Sequence, residues 1–387
     1  MRTVAVFTAT RAEYGLLRPL LLRLRESRQC RLQLIVSGTH LSHAHGYTLT
    51  EIQHDGFEPD ATIPLDFSKD SPGHLCGALG TMIAETGASL ARLQPDIFVL
   101  LGDRYECLGA ATAAAMLSTP VAHIHGGEIT RGAMDDSFRH AVTKLSHLHF
   151  TSCEPYRQRV IQLGEQPDRV WNVGALGVEN ALSLPLFDET AVRDYLHLEA
   201  GRPYFLCTFH PVTLEPGQEE TQWREMQQAL ERYANHAVVV TGANADPGGG
   251  LINRMLAQWG RQQPERVRLF DSLGVLRYLS AAKYAACVVG NSSSGIIEIP
   301  SLGVPVVNIG DRQQGRIASP AVLHCPPEED AIVASLAQAL TPGCREHARV
   351  TPNPYEKAET SAAIAEILLT FPLRSIFRKV FFDIVRQ

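Results

Sequence analysis

A run of hydroxyl and amide side chains directly after a short apolar segment is the strongest chemical signal in the chain. The segment CVVG precedes five residues that begin a predicted helix, namely Asn291, Ser292, Ser293, Ser294 and Gly295. Serine hydroxyls and the backbone N–H groups of a helix start donate hydrogen bonds to anions such as phosphate. Helix capping is the competing interpretation. Three consecutive serines favour phosphate binding, and we call residues 291–295 the serine segment.

Charged side chains elsewhere complete a predicted site for a nucleotide diphosphate. Glu298 lies one turn into the same predicted helix, where its carboxylate can accept hydrogen bonds from ribose hydroxyls. Arg316 ends NIGDRQQGR, after the next apolar stretch, and guanidinium groups pair well with phosphate. Arg11 follows the first apolar stretch, in TATRAEYG, and is a further candidate for an anion contact. An exposed loop arginine is an equally good interpretation of Arg11.

Four carboxylates follow other apolar stretches and indicate acid–base chemistry. Asp103 follows DIFVLLG, Glu128 follows HIHGG, and Asp135 and Asp136 begin a predicted helix. Helix capping accounts for single members of this set. Carboxylates that share one site separate their pKa values and so divide into acid and base roles. We predict that these four residues are catalytic and leave open which of them is the base.

Two histidines are candidate substrate contacts, and the sequence predicts no metal or cofactor. His40 lies in SGTHLSHAHG, whose histidines at i, i+3 and i+5 do not share one helical face. His210 directly follows the apolar stretch YFLCTF. The eight cysteines include no C-x-x-C pair, no G-x-G-x-x-G follows the first apolar stretch, and G-x-x-x-x-G-K-[ST] does not occur. Metal, nicotinamide and P-loop chemistry are therefore disfavoured.

Parallel strands joined by helices must position these residues. Short runs rich in Val and Ile alternate with longer amphipathic stretches, which is typical of parallel sheets with helical crossovers. Two successive series predict an α/β protein with two Rossmann-like doubly wound domains, residues 1–175 and 176–364, and a ligand cleft between them. Ligands bind beyond the carboxyl ends of such strands. The C-terminal sequence LTFPLRSIFRKVFFDIVRQ is basic and aromatic. A last helix that packs on a domain is favoured there over an amphipathic helix on a membrane surface.

Length, charge and cysteine usage narrow the class of protein. A chain of 387 residues exceeds one ordinary core and suits two domains. The formal net charge of −6 disfavours nucleic acid as a main partner. The chain contains no run of about 18 apolar residues, so no membrane-spanning segment is predicted. Scattered cysteines are typical of a reducing compartment, so we predict a cytoplasmic location.

Six motifs resemble those of the hydrolysing UDP-N-acetylglucosamine 2-epimerases of sialic acid biosynthesis. They are TATRAEYG, GDRYE, HIHGGE, DDSFRHAVTKLSHLHF, GNSSSGIIEIPS and NIGDRQQGR, in this order from Met1 to about Arg316. Non-hydrolysing relatives typically carry E-A-G-L-R where this chain has Gly-Gly-Glu128-Ile-Thr, and E-R-P-E near Arg316. This departure favours the hydrolysing branch.

The resemblance implies a fold, a reaction and roles. The fold is of the glycosyltransferase-B type, with a C-terminal helix over residues 365–387 that returns to the first domain. The reaction converts UDP-N-acetylglucosamine to N-acetylmannosamine and UDP through 2-acetamidoglucal. The four carboxylates would act on the sugar, His210 would contact the phosphates or the sugar, and the serine segment with Arg11 and Arg316 would stabilise the departing diphosphate. No cofactor is implied, and a homodimer or tetramer suits the family.

Other functions remain compatible with the same residues. The same reaction on nucleotide-linked 2,4-diacetamido-2,4,6-trideoxyglucose, as in the legionaminic acid pathway, differs only in the pocket around sugar positions 4 and 6. A glycosyltransferase of this fold needs an acceptor groove and hydrolyses its donor slowly without acceptor. A non-catalytic nucleotide-sugar sensor is disfavoured by the clustered carboxylates.

Overall fold

The chain forms two compact units, each built around its own parallel sheet. The computed structural model describes residues 1–68, 72–131, 134–212, 217–243 and 248–384. The first unit comprises Met1–Glu128, Asp135–Glu179 and the chain from Lys357 onward, and the second comprises Ile129–Met134 and Asn180–Glu356. The chain passes from the first unit to the second after Glu179, close to the domain boundary predicted after residue 175. It returns to the first unit at Lys357.

The elements alternate along the chain. The strands are β1 (Arg2–Thr8), β2 (Cys30–Ser37), β3 (Ala61–Ile63), β4 (Ile97–Leu101), β5 (Val121–Ile124), β6 (Leu148–Thr151), β7 (Val170–Asn172), β8 (Tyr204–Thr208), β9 (Ala237–Thr241), β10 (Val267–Phe270), β11 (Cys287–Gly290), β12 (Val306–Ile309) and β13 (Val322–Cys325). The helices are α1 (Arg11–Glu26), α2 (Leu49–His54), α3 (Pro72–Leu93), α4 (Tyr105–Met116), α5 (Asp135–Leu145), α6 (Glu154–Gln162), α7 (Leu176–Ser183), α8 (Glu189–Tyr195), α9 (Glu219–Glu231), α10 (Gly249–Gln262), α11 (Gly274–Tyr284), α12 (Ser293–Ile297), α13 (Glu329–Ala339), α14 (Pro342–Val350) and α15 (Thr360–Thr370).

Both sheets are wholly parallel. The first has the order β3-β2-β1-β4-β5-β6-β7, and the second has the order β10-β9-β8-β11-β12-β13. Every residue of β4, sequence IFVLL, is buried, because helices cover both faces of a doubly wound sheet. The predicted α/β class with two doubly wound sheets is therefore confirmed.

The C-terminal segment differs from the expected helix over residues 365–387. Helix α15 ends at Thr370, and residues 371–384 continue without a helix, so the prediction is wrong beyond that point; residues 385–387 lie outside the described ranges. Pro372 explains the end of α15, because a residue before proline avoids the helical conformation, and Phe371 is extended at ψ 131°. The backbone bonds instead to the first unit, as in Phe382 N–H to Gly164 O at 2.9 Å.

The sequence also predicts that no segment spans a membrane and that most of the cysteines are small core residues. In the described part of the chain, no helix combines the length and the apolarity needed to cross a membrane. All eight cysteines are free thiols, and five of them are buried, as expected for small core residues.

Candidate functional site

The candidate residues follow the strands at which each sheet reverses its order. The first sheet reverses between β1 and β4, and the second between β8 and β11. Asp103 follows β4, His210 follows β8, and the serine segment follows β11. Ligands of doubly wound sheets bind at this place, because the loops there diverge to opposite faces and leave a crevice. The topology therefore brings the predicted residues to the ligand-binding edge of their sheets.

Arg139 gathers the acidic residues of the first unit into one cluster. It lies on α5 and is 1% exposed. Its guanidinium donates to the Asp103 carboxylate, to Asp136 Oδ1 at 3.1 Å and to the main-chain oxygen of Glu128 at 2.9 Å. Asp135 adjoins this cluster as the first residue of α5. We call Asp103, Glu128, Asp136 and Arg139 the acid cluster.

The side chain of Glu128 is held within the first unit. It is 2% exposed, and Oε1 accepts a hydrogen bond from Ser152 Oγ at 2.8 Å. His125 Nδ1 lies 3.6 Å from the same oxygen. A carboxylate buried in this way keeps a defined orientation, as acid–base catalysis requires.

Sequence reasoning missed Arg139 as a site residue. A signal was present, because Arg139 shares one face of α5 with Val142 and Thr143, and all three are buried. A charged residue on the buried face of a helix is rare unless it is paired. Asp136 lies three residues before it, but Asp103 lies 36 residues away in sequence, so local pattern alone did not reveal that Arg139 joins the predicted carboxylates.

Glu13 is a second buried carboxyl group that sequence reasoning did not select. It lies in the first turn of α1, where Oε2 accepts from the backbone N–H groups of Ala9 at 2.9 Å and Thr10 at 3.2 Å. The Thr10 hydroxyl accepts from the Glu13 N–H in return, which completes a capping box. Burial raises the pKa of Glu13 from 4.5 to about 7, although Arg104 opposes this shift. Glu13 therefore titrates near neutral pH.

We expect Glu13→Gln to remove part of the pH dependence of stability. The pKa of Glu13 is higher in the folded state than in the unfolded state, so ionisation of Glu13 destabilises the folded state. The resulting loss in the free energy of unfolding grows from about pH 4.5 and levels off above about pH 7. The cost at alkaline pH is on the order of 3 kcal/mol. Urea unfolding between these pH values should show a smaller fall in stability for the variant. Exposed Glu51→Gln is the control, and an equal fall in Glu13→Gln and wild type would contradict the assignment.

Two predicted contacts in the first unit are used in internal interactions. His40 is fully buried, its ring nitrogens lie 3.0 Å from Thr8 Oγ1 and 2.7 Å from Thr48 Oγ1, and burial lowers its pKa to about 4. His40 thus supports the loop after β2 through both ring nitrogens, and its role as a substrate contact stays a prediction. Arg11 pairs with Glu51 at 3.0 Å and is part-exposed, so it must exchange this partner to bind an anion.

Asn291 and His210 form one structural unit at the ends of β8 and β11. Asn291 is fully buried, its Oδ1 accepts from the His210 N–H at 2.7 Å, and its Nδ2 donates to the His210 carbonyl at 2.8 Å. The Asn291 amide therefore orients the backbone of His210, and a direct contact of Asn291 with substrate stays a prediction. Burial, and secondarily Arg312, lowers the pKa of His210 well below its ordinary value, so its ring is neutral at pH 7.

The remaining serine-segment residues lie at the start of α12. Ser292 is the helix cap, with its Oγ accepting from the Ser294 N–H at 3.4 Å, and Ser293 and Ser294 are half-buried. Capping, the competing interpretation, thus applies to Ser292. Gly295 is buried, and a side chain there would approach Val306 of β12 to 3.1 Å.

The loop after β12 contacts the serine segment. Arg312 Nη1 and Gln313 Nε2 both donate to the Asn291 carbonyl, at 3.2 and 2.9 Å. Arg316, at the end of this loop, and Glu298, after α12, are both half-buried. Two arginines and hydroxyl donors therefore share this edge of the second sheet. Among the described residues, no three His, Cys, Asp or Glu side chains gather as a metal-binding group.

Comparison with known proteins agrees with these observations. The family model described as UDP-N-acetylglucosamine 2-epimerase matches residues 22–369. Polysialic acid biosynthesis protein P7 of Escherichia coli is 37% identical, over 96% of this chain and 94% of the relative. The hydrolyzing GDP/UDP-N,N'-diacetylbacillosamine 2-epimerase of Campylobacter jejuni is 37% identical, over 83% of this chain and 84% of the relative.

The fold has close counterparts among solved structures. The Neisseria meningitidis UDP-GlcNAc 2-epimerase bound to UDP-GlcNAc superposes with a TM-score of 0.81 at 19% identity, covering 95% of this chain and all of the other. This likeness confirms the glycosyltransferase-B type of fold, and the relatives confirm the resemblance drawn from the motifs. The chain belongs to the UDP-N-acetylglucosamine 2-epimerase family.

Proposed function

We propose that the protein is a hydrolysing epimerase that converts UDP-N-acetylglucosamine to N-acetylmannosamine and UDP. The observation that carries the proposal is the acid cluster, in which one buried arginine holds Asp103, Asp136 and the backbone of Glu128 at the ligand-binding edge of the sheet. Membership of the epimerase family supplies the substrate class, and the Gly-Gly-Glu128 sequence supports the hydrolysing reaction.

The chemistry divides between the two sets of residues. The C2 proton of the sugar is barely acidic, so elimination must be driven by departure of UDP. The hydroxyls of Ser293 and Ser294 together with Arg316 stabilise the charge that develops on the diphosphate. A carboxylate of the acid cluster removes the C2 proton and gives 2-acetamidoglucal. Water then adds at C1, and C2 regains a proton on the opposite face.

The proton at C2 provides the test. The enzyme is incubated with UDP-N-acetylglucosamine in D2O, and the products are followed by NMR. We expect UDP and N-acetylmannosamine carrying deuterium at C2. Release of N-acetylglucosamine with its original C2 proton would contradict epimerisation and would indicate simple donor hydrolysis, the side reaction of a glycosyltransferase.

A second candidate substrate is nucleotide-linked 2,4-diacetamido-2,4,6-trideoxyglucose. It is favoured by the Campylobacter relative and by the hydrolyzing UDP-N,N'-diacetylbacillosamine 2-epimerase of Legionella pneumophila, which is 34% identical over 97% of both chains. Measuring kcat/KM for both nucleotide sugars decides between them. A higher value for the diacetamido sugar would replace our first choice while leaving the reaction unchanged.

The double variant Ser293→Ala/Ser294→Ala should chiefly raise KM. Each hydroxyl bond to a charged phosphate contributes roughly 1.5–3 kcal/mol, so we expect KM to rise by at least about tenfold. Steady-state kinetics and calorimetric titration with UDP measure the effect. Ser301→Ala, whose hydroxyl bonds to Glu356, is the matched control. An effect confined to kcat would contradict a phosphate site used in the ground state.

A further inference from the structure

His123 contacts the segments of the chain that carry the acid cluster. Its ring projects from β5, is fully buried and takes no part in the chemistry proposed above. Nε2 lies 2.7 Å from the carbonyl oxygen of Gly102, the residue before Asp103. Nδ1 lies 3.1 Å from the Thr143 hydroxyl, one turn beyond Arg139 on α5. One ring thus joins the Asp103 segment to the helix that carries Arg139.

The protonation of the ring follows from its partners. A carbonyl oxygen only accepts hydrogen bonds, so Nε2 carries the proton that is donated to Gly102. Burial lowers the pKa of His123 to about 3, and the ring is therefore neutral. Nδ1 then faces the Thr143 hydroxyl as an acceptor, and that hydroxyl divides its one proton between Nδ1 at 3.1 Å and the carbonyl oxygen of Arg139 at 3.0 Å. In this tautomer each ring nitrogen faces a protein partner, Gly102 at Nε2 and Thr143 at Nδ1.

The segment that leads to Glu128 packs on the same pair of side chains. A Cβ atom at Gly126 would lie 3.0 Å from both His123 Nδ1 and Thr143 Oγ1, closer than ordinary contact. The backbone at Gly126 therefore rests directly on the bond between His123 and Thr143. All three segments of the acid cluster, those of Asp103, Glu128 and Arg139, thus meet at His123.

We propose that His123 is the positioning residue of the acid cluster, setting the spacing between Asp103, Glu128 and Arg139. The proposal rests on the proposed function, because this spacing affects turnover only if the cluster acts on the sugar. A misplacement of catalytic groups by about 1 Å can cost about a hundredfold in rate, so a fixed support beneath three loops has a large effect.

Two neutral substitutions separate the two links. His123→Gln keeps a donor near the Nε2 position and loses the bond to Thr143. His123→Asn keeps a polar atom near the Nδ1 position and loses the bond to Gly102. We expect kcat to fall by at least about tenfold in each variant, while the Kd for UDP changes by less than about twofold. Thr143→Val removes the bond to His123 and also the bond from its hydroxyl to the Arg139 carbonyl within α5. In the His123→Gln background it should therefore add only the smaller effect of the second bond.

His149→Gln is the matched control, since His149 is also fully buried on the neighbouring strand but bonds to Glu165. It should lower the unfolding temperature without lowering kcat. Amide hydrogen exchange gives a readout independent of turnover: His123→Asn should speed exchange around Asp103, and His123→Gln should speed exchange in α5. If the wild type has no activity but the His123 variants show these exchange changes, the proposed function is refuted and the role of His123 is not. The role of His123 would be refuted if both variants kept the kcat and the exchange rates of the wild type. It would also be refuted if the affinity for UDP fell in step with kcat.

Discussion

Glu128→Gln should retain UDP binding and lose sugar turnover. The amide has the shape of the carboxylate, and its oxygen can still accept the bond from Ser152 Oγ, so the buried loop keeps its position. It cannot take up or release a proton at neutral pH. General acid–base catalysis contributes roughly 10²- to 10⁴-fold, and we expect kcat to fall within this range.

The measurement combines product formation by NMR with calorimetric titration of UDP. Glu154→Gln is the control, because Glu154 lies at the start of α6 with an exposed side chain and bonds to Gln158 rather than to the acid cluster. Near-normal release of UDP from the nucleotide sugar by Glu128→Gln would show that Glu128 does not act in acid–base catalysis. The reaction would then require Asp103, Asp135 or Asp136 as the acting carboxylate.

Arg139→Met should damage both activity and stability. The substitution keeps most of the buried volume but leaves Asp103 and Asp136 without their shared cation and the Glu128 carbonyl without its donor. Asp103 and Asp136 are partly exposed and can be hydrated in the variant, so we expect a loss of roughly 1.5–3 kcal/mol in urea unfolding, the size of a hydrogen bond to a charged group. We also expect kcat to fall by at least about a hundredfold, because the acids lose their common anchor.

Arg139→Lys separates charge from geometry in the same experiment. An ammonium restores the charge, but it lacks the planar fork that bonds to Asp103, Asp136 and the Glu128 carbonyl together. Stability should recover more than kcat does. Equal recovery of both would mean that Arg139 contributes charge alone, and wild-type kcat in folded Arg139→Met would remove it from the site.

The acid cluster shows how far prediction from sequence reached. Asp103 and Glu128 were selected because each follows an apolar stretch, and Asp135 and Asp136 because they begin the next predicted helix; parallel strands bring their carboxyl ends to one edge of a sheet. Arg139 was missed because two of its three partners, Asp103 and the Glu128 carbonyl, become its neighbours only when α5 packs on the sheet. Glu13 was missed because its pKa depends on burial, which short-range pattern does not reveal.

For His40 and Asn291, the predicted substrate contacts, the structure adds internal bonds that the sequence did not indicate. Both stand after strands, as predicted, yet their polar atoms bond to neighbouring protein groups, His40 to Thr8 and Thr48, and Asn291 to His210. Position after a strand reflects chain order, whereas the direction of a side chain depends on the loop around it. The C-terminal helix failed for a local reason, since Pro372 ends it.

The sequence by itself determined the parallel α/β architecture, the family motifs and the set of residues at the strand ends, because hydrophobic periodicity and chain order dictate which segments become strands and where their loops emerge. Only the tertiary structure decided which of those residues bond to each other. The links from Arg139 to Asp103 and from His123 to Gly102 and Thr143 join residues 20 to 36 positions apart. Such bonds depend on how helices pack on the sheet, and local periodicity does not encode that packing.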